Sequence, residues 1–347
     1  MYRPQELIFA FRLKKNGNNE VLEGVSRRYT ATALIGLTGE DENTLTRILS
    51  DHSPDEVCGN LLNNIANMNE LGELALTTWA ARRLEHPHTQ KAIDALKHFC
   101  KLKNSYPTVE LSWALTALVI DSCQATDMIL AKKLAEILMD SFNKQSKTFL
   151  HGPSRKGFSS LFSHVSCFAD FVYPIQALSH YYQATSDSRA AEIACSCAEH
   201  ICKLQADDGQ WWWHYDNRTG KVLERYPVYS VHQDSMAPMA LFALNNAFGK
   251  DYSEAIWKGL EWLINSSEIN GSLIDMERKV IWRKVARREP FKLVRKMQSA
   301  ASSLHYNFRV PGIDVFFPPV SIDYESRPYH MGWILYAWSD KQAAKNV

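Results

Sequence analysis

The sequence predicts an all-α protein folded as a closed ring of helical hairpins, an (α/α)6 toroid, on three observations. Helical periodicity runs through the chain, the helical segments alternate between two kinds, and several segments of the second kind share a proline lead-in. The 347 residues are 46% hydrophobic with no long polar tract, enough for one large core. We expect a single domain over 1–347, with 266–325 inserted as a basic, Pro-containing, lid-like segment.

The first kind of segment is amphipathic. Thr89 to Leu102, Asp127 to Phe142, Asp187 to Leu204 and Tyr252 to Ile264 place apolar residues at i, i+3, i+4 and i+7, with charges on the opposite face. These read as outer helices. The second kind is apolar almost all round and opens with polar or aromatic residues: Arg28 to Leu37, Glu70 to Leu84, Thr108 to Ile120, Asp170 to Tyr182, Ser230 to Asn246 and Tyr329 to Trp338. A helix that is apolar on every side is buried on every side, so these six read as inner helices.

Tyr106-Pro107, Tyr173-Pro174, Tyr226-Pro227 and Arg327-Pro328-Tyr329 form a weak internal repeat. Proline suits a first helical turn, where its missing N–H has no intrahelical partner, so each is expected to start a helix. The irregular spacing favours a closed ring with loop insertions over an open solenoid.

Within Ala198 to Trp211, Gln205, Gly209 and Trp211 stand in a Q-x3-G-x-W spacing that resembles the QW repeats of squalene and other terpenoid cyclases, and Gly259 to Leu273 holds a degenerate copy. The resemblance implies toroid architecture. Those cyclases use a DxDD protonation motif that this sequence lacks; Asp207-Asp208 lies inside the QW loop. The Asp/Cys/His zinc constellation of protein prenyltransferases is not placed either. The pattern is equally similar to the (α/α)6 toroids of glycoside hydrolases, polysaccharide lyases and uronyl epimerases, and likeness of fold does not choose among them.

Lys and Arg total 39 against 38 Asp and Glu, a net charge of +1, so no nucleic-acid partner is expected. Nucleotide-binding and common hydrolase motifs are missing from the sequence. The seven cysteines (Cys58, Cys100, Cys123, Cys167, Cys195, Cys197 and Cys202) are odd in number and scattered, and read as small buried hydrophobes. No metal and no cofactor is expected. The first apolar run is too short for a signal-peptide core or a membrane span, so a cytoplasmic protein is expected.

In a ring of hairpins the inner helices aim one set of ends at one cavity, so polar residues far apart in sequence should converge there. Trp211 to Met239 is the densest segment, with Trp212, Trp213, His214, Arg225, Tyr229, His232, Gln233 and Asp234. His232 is the leading general acid or base, since imidazole titrates near neutral pH. Tyr229, three residues earlier, shares its helix face if the helix has begun, while Asp234 points elsewhere and acts separately. Asp170 and Tyr173 repeat the i, i+3 relation, and so do Glu70 and Glu73, a pair of carboxylates suited to acid and base roles. Each also has a structural reading as a capping, dipole-favoured or packed group. Arg28 and Tyr29 open the first inner helix, and Arg327, Tyr329 and His330 open the last. In a closed ring these ends are neighbours and form an anion clamp. Trp212 and Trp213 offer a stacking platform, whereas Trp211 packs between hairpins.

Residues 278–296, dense in Lys and Arg with Val280, Ile281, Trp282, Val285, Phe291 and Val294 interleaved, are a candidate for peripheral membrane contact. A cavity both aromatic and rimmed with Arg, His, Asp and Glu favours a saccharide. The sequence therefore predicts a carbohydrate-active hydrolase, lyase or epimerase using general acid/base catalysis on an oligosaccharide or glycoconjugate. The alternatives are a terpenoid-cyclase- or prenyltransferase-like enzyme and a non-catalytic binding toroid. The enzyme readings require His232, Asp170, Glu70 and Arg28 to share one pocket.

Overall fold

The computed structural model describes residues 1–347 apart from 18, 103–104, 122–124, 153–161, 291–292, 306–307, 309 and 340–347. Cys123 and Phe291 lie outside the described residues. In chain order the helices are α1 (Arg27–Leu37), α2 (Glu42–Leu49), α3 (Pro54–Leu62), α4 (Leu71–Arg83), α5 (Thr89–Leu102), α6 (Thr108–Val119) and α7 (Ala125–Asp140). They continue with α8 (Ala169–Thr185), α9 (Ser188–Leu204), α10 (Ala237–Phe248), α11 (Ser253–Ile264), α12 (Leu293–Leu304), α13 (Ile313–Phe316) and α14 (Pro328–Ala337). Among the described residues no helix is long and apolar enough to cross a membrane.

The inner helices are α1, α4, α6, α8, α10 and α14, each packed on the next, with α14 returning to α1. The expected toroid is the observed fold. Their burial follows from composition: every residue of Thr30–Leu37, Leu74–Ala81 and Asp170–Ser179 is buried. The outer helices bury one stripe only, as in α9, where Ala190, Ile193, Ala194, Cys197, Ala198 and Ile201 face inward at helical spacing. Between α1 and α4 the outer position is taken by α2 and α3, short helices that the periodicity did not announce.

The ring closes where two glycines let helix backbones touch. A Cβ on Gly36 of α1 would stand 2.2 Å from the Gly332 carbonyl oxygen of α14, and one on Gly332 would stand 2.4 Å from the Thr32 carbonyl oxygen. Only glycine permits that approach. The N-terminal ribbon reinforces the seam: strand Arg12–Asn16 lies between Asn19–Glu23 and Glu325–Ser326, immediately before α14.

Two proline lead-ins mark helix starts as expected, since Pro107 is the N-cap of α6 and Pro328 opens α14. Tyr173-Pro174 does not, because Pro174 lies inside α8, where it removes the helical N–H donor for the Asp170 carbonyl. Tyr226-Pro227 is a cis peptide that leads into a strand, Val228–Tyr229; helix begins only at a π-turn, His232–Met236, continuous with α10. Tyr229 therefore does not share a helix face with His232.

The described part of the basic insertion that precedes α12 is built of short strands. Ile274–Asp275 pairs with Val280–Ile281 as a hairpin, and Lys284–Ala286 forms the middle strand between Val228–Tyr229 and Ser321–Asp323. The β-branched residues suit strands. Three of the insertion's positive charges find partners within the fold: Lys284 with Asp323 at 3.0 Å, Arg283 with Glu325 at 3.1 Å and Arg287 with Glu224 at 2.8 Å. Trp282 and Val285 are buried and belong to the core.

Candidate active site

At the end of the ring where α6 and α8 begin lies a cavity of about 1010 Å³. His151, Cys167, Trp213, His214, Arg295 and Lys296 line it, together with Pro107, Leu150 and Asn217. Strand pairing assembles the wall: Val165–Cys167 runs antiparallel to His214–Asp216, with Cys167 opposite His214. The Trp213 carbonyl accepts from the Phe168 N–H at 2.9 Å, which fixes the turn into α8.

Asp170 sits in the first turn of α8 and is fully buried. Its Oδ2 accepts from the Cys167 N–H at 2.7 Å and lies 2.9 Å from His151 Nδ1. The helix N-terminus favours its charge. The His151 side chain is half exposed, so this pair joins a buried carboxylate to an imidazole open to the cavity. Burial pushes the Cys167 thiol well above its ordinary value, with Asp170 adding to the shift. Among the described residues, His151, Cys167 and Asp170 form a group able to hold a metal ion, with their donor atoms all within 4.8 Å of one another.

Trp213 is stacked on His214, ring centroids 3.9 Å apart, and the Arg295 guanidinium lies 4.9 Å from the Trp213 ring. Burial, assisted by Arg295, pulls the His214 imidazole down to about 3, so it is neutral at physiological pH, and its buried Nδ1 has no partner. Among the described residues neither Arg295 nor Lys296 has a carboxylate partner. No described lining residue is an Asp or Glu.

His232 lies one layer behind, 4% exposed, its ring 4.7 Å from Phe168 and 5.1 Å from Tyr229. Burial lowers it to about 3, opposed by a hydrogen bond to the Trp211 backbone. Among the described residues its Nδ1 has no hydrogen-bond partner. Tyr229 links this layer to the cavity, its ring edge 5.1 Å from Trp213. Asp234 does act apart from His232: its Oδ1 is 2.8 Å from His330 Nε2, and both side chains are buried.

The first and last inner helices are neighbours at their starts, as expected. Tyr29 and Tyr329 are 4.8 Å apart, and Arg327 donates to the Tyr29 hydroxyl at 2.7 Å and to Glu325. Arg12, Arg283 and Arg327 converge on Glu325; burial opposes its ionisation, but the arginines, Arg283 foremost, hold the carboxyl below the usual range.

The remaining candidates are occupied elsewhere. Arg28 bridges Glu70 at 2.9 Å and Glu110 at 2.8 Å, and Arg27 pairs with Glu73 at 2.5 Å. The two carboxylates are thus ion-paired on the rim and do not line the cavity. Gln233 serves the backbone, accepting from the Trp211 N–H and donating to the Tyr229 carbonyl. Trp212 is buried against Tyr226 and covered by exposed Arg225. Tyr173 packs between Trp113 and Trp333, its hydroxyl raised by burial. The single pocket expected for His232, Asp170, Glu70 and Arg28, which the enzyme readings required, is therefore not formed, and those four residues together do not support catalysis. Any enzymatic reading rests instead on the different set at this cavity, His151 with Asp170 behind it. Asp170 reaches the cavity only through His151, His232 lies in a further buried layer, and Arg28 with Glu70 stands apart.

Sequence reasoning missed His151, Glu110, Arg295 and Lys296, and Cys167 lines the cavity although a core role was expected of it. The cysteines of the described residues are all unpaired thiols, in keeping with the scattered pattern. His151 alone carried a local signal, a histidine beside Gly152-Pro153 between two helices. Gln205 donates to the carbonyls of Gly209 and Ala255, and Gly209 (φ +99°) leaves no room for a Cβ, which would stand 2.0 Å from the Lys258 carbonyl oxygen. That segment ties one hairpin to the next.

Ring and cavity together define the class, an (α/α)6 toroid with a largely apolar cavity, carrying aromatic, histidine and basic side chains, at the starts of α6 and α8. No protein-family model and no curated protein sequence matches the chain. Solved structures match in shape. An unsaturated glucuronyl hydrolase specific for heparin is 14% identical with a TM-score of 0.63, over 100% of this chain and 93% of that one. Cellobiose 2-epimerase from Bacillus thermoamylovorans is 11% identical with a TM-score of 0.61, over 97% and 93%. The unsaturated glucuronyl hydrolase of Bacillus sp. GL1, responsible for the degradation of glycosaminoglycan, is 10% identical with a TM-score of 0.59, over 97% and 92%. At these identities the likeness establishes the fold. The three neighbours are carbohydrate-active enzymes, and none is a terpenoid cyclase.

Proposed function

We propose that this protein is a carbohydrate-active enzyme that transforms an acidic saccharide by general acid/base catalysis, with Asp170 and His151 moving the proton. The observation that carries this reading is the Asp170–His151 pair, a buried, oriented carboxylate hydrogen-bonded to a half-exposed imidazole at the wall of the cavity. Trp213 offers a face on which a sugar ring stacks. Arg295 and Lys296, lacking carboxylate partners among the described residues, supply positive charge for a carboxylate or sulfate on the substrate. Fold likeness to enzymes acting on uronides supports the same class.

The lining also bears on reaction type. Displacement at a glycosidic carbon uses two carboxylates flanking the bond. Here a single carboxylate, Asp170, stands buried behind His151, and no Asp or Glu is among the described residues that line the cavity. That set suits a reaction driven by a single proton transfer, such as hydration of or elimination to an unsaturated uronide.

The test is incubation with unsaturated and saturated uronide disaccharides and with neutral disaccharides. Products are followed by ultraviolet absorbance of the unsaturated ring and by mass spectrometry and NMR. Turnover of an acidic saccharide that falls about 10³-fold in Asp170→Asn is expected, within the usual range for a lost general acid or base. Turnover unchanged in that variant removes Asp170 from the chemistry, and turnover of neutral sugars alone overturns the acidic-substrate assignment.

A further inference from the structure

We propose that His151, Cys167 and Asp170 bind a zinc ion at the cavity wall, and that the bound metal switches off the acid/base pair. The binding claim stands on geometry alone; its effect on turnover rests on the function proposed above. Three different donors, an imidazole Nδ1, a thiol Sγ and a carboxylate oxygen, come from three successive stretches of chain and lie within 4.8 Å of one another. His151 follows strand Thr148–Phe149, Cys167 ends strand Val165–Cys167, and Asp170 opens α8. A nitrogen, sulfur and oxygen set suits Zn²⁺, which accepts all three.

The trio already has the supports that metal ligands need. Asp170 Oδ2 is fixed by the Cys167 N–H at 2.7 Å, an outer contact that orients a ligand. Cys167 and His151 both line the cavity, so a fourth position faces open space where water or substrate enters. Three protein ligands with one open position is the pattern of accessible zinc sites. The His151–Asp170 hydrogen bond, 2.9 Å long, spans the place where the ion would sit, so only a small opening separates the paired form from a ligand set.

Proton balance follows from the donors. Binding forms an Sγ–Zn bond and releases the Cys167 thiol proton to solvent. The proton shared between His151 Nδ1 and Asp170 also leaves that bond, so that neutral His151 keeps a single proton on Nε2, any excess passes to solvent, and both Nδ1 and the carboxylate present lone pairs to the metal. Asp170 then donates an oxygen lone pair to the metal. It can no longer exchange a proton with a saccharide, so the metal and the reaction compete for one carboxylate.

The site is tested by titrating the purified, metal-free chain with Zn²⁺ against a chromophoric chelator and, separately, with Co²⁺. One tightly bound ion per chain is expected, and the Co²⁺ form should show a near-ultraviolet thiolate-to-metal charge-transfer band. Cys167→Ser should abolish that band, and His151→Ala, a change at a half-exposed side chain, should weaken binding at least tenfold. Absence of stoichiometric binding, or a band that persists in Cys167→Ser, overturns the site. These readouts involve no saccharide, so a failed metal site and a failed catalytic assignment are told apart. If turnover exists, equimolar Zn²⁺ should suppress it and chelator should restore it; turnover unaffected by bound Zn²⁺ overturns the switch while leaving the site.

Discussion

The protein contains two histidine–carboxylate pairs of nearly the same length, 2.9 Å for His151–Asp170 and 2.8 Å for His330–Asp234, in different surroundings. In the first, Asp170 is fully buried and the His151 side chain is 50% exposed on the cavity; in the second, the side chains are 5% and 7% exposed. In the function proposed above, the first pair trades a proton with a bound saccharide. The second ties the π-turn His232–Met236 to α14, a join strengthened by the Trp338 indole donating to the Asp234 carbonyl at 2.7 Å. The same chemical pair thus meets the cavity through one member in the first case and is buried as a join between two elements in the second, and the proposed working role belongs to the first alone.

Substitution separates the two pairs. The largest effect is expected from Asp170→Asn, which should reduce turnover about 10³-fold with a smaller loss of stability than the corresponding change at Asp234. Equal losses of turnover in the two variants, compared under saturating substrate, would erase the contrast. Asp234→Ala should cost about 3 kcal/mol of stability, the usual consequence of leaving one member of a buried pair alone, read from the urea midpoint. A shift under about 0.5 kcal/mol, the surface-substitution range, would show that the fastening does not hold.

The pH dependence of stability gives the next effect. His214 and His232 are held to about 3 in the folded state, against an ordinary 6.5, so the unfolded chain binds more protons between those values. Stability is complete above pH 6.5 and falls as pH drops towards 3, by about 1.4 kcal/mol per pH unit for each histidine. Urea midpoints at pH 7 and pH 5 measure the slope, and His214→Phe should reduce it by one proton's worth. The smallest effect concerns the charge beside the working pair. Arg295→Ala should raise KM for an acidic saccharide about tenfold, or about 1.4 kcal/mol, with little change in kcat. A neutral substrate should feel no difference, and added salt should narrow the gap between variant and parent.

Much of the ring was legible because inner and outer helices differ in how many of their faces are apolar. Thr89–Leu102 and Thr108–Val119 lie within one residue of the expected bounds. The π-turn was not legible, since the sequence of His232–Met236 resembles an ordinary helix start. The short helices α2 and α3 were missed because each spans too few residues to establish a period.

The candidate site was less legible than the fold. Asp170, Trp213 and His214 stood out as polar or aromatic residues at the entrance to an inner helix. His151, Arg295 and Lys296 gave little signal, because their place depends on which loops and which face of α12 close over the cavity. Arg28, Glu70 and Glu73 looked functional for the opposite reason: the sequence shows charge but not that Arg27, Arg28 and Glu110 neutralise it.

By itself the sequence determined that six helices would be buried on all sides and would begin with polar or aromatic residues, because periodicity records how much of each helix meets water. Tertiary structure decided which of those residues reach the cavity and which pair with one another. Contacts between residues as distant as Asp234 and His330, or Trp213 and Arg295, are set by the closing of the ring and leave no local pattern in the chain.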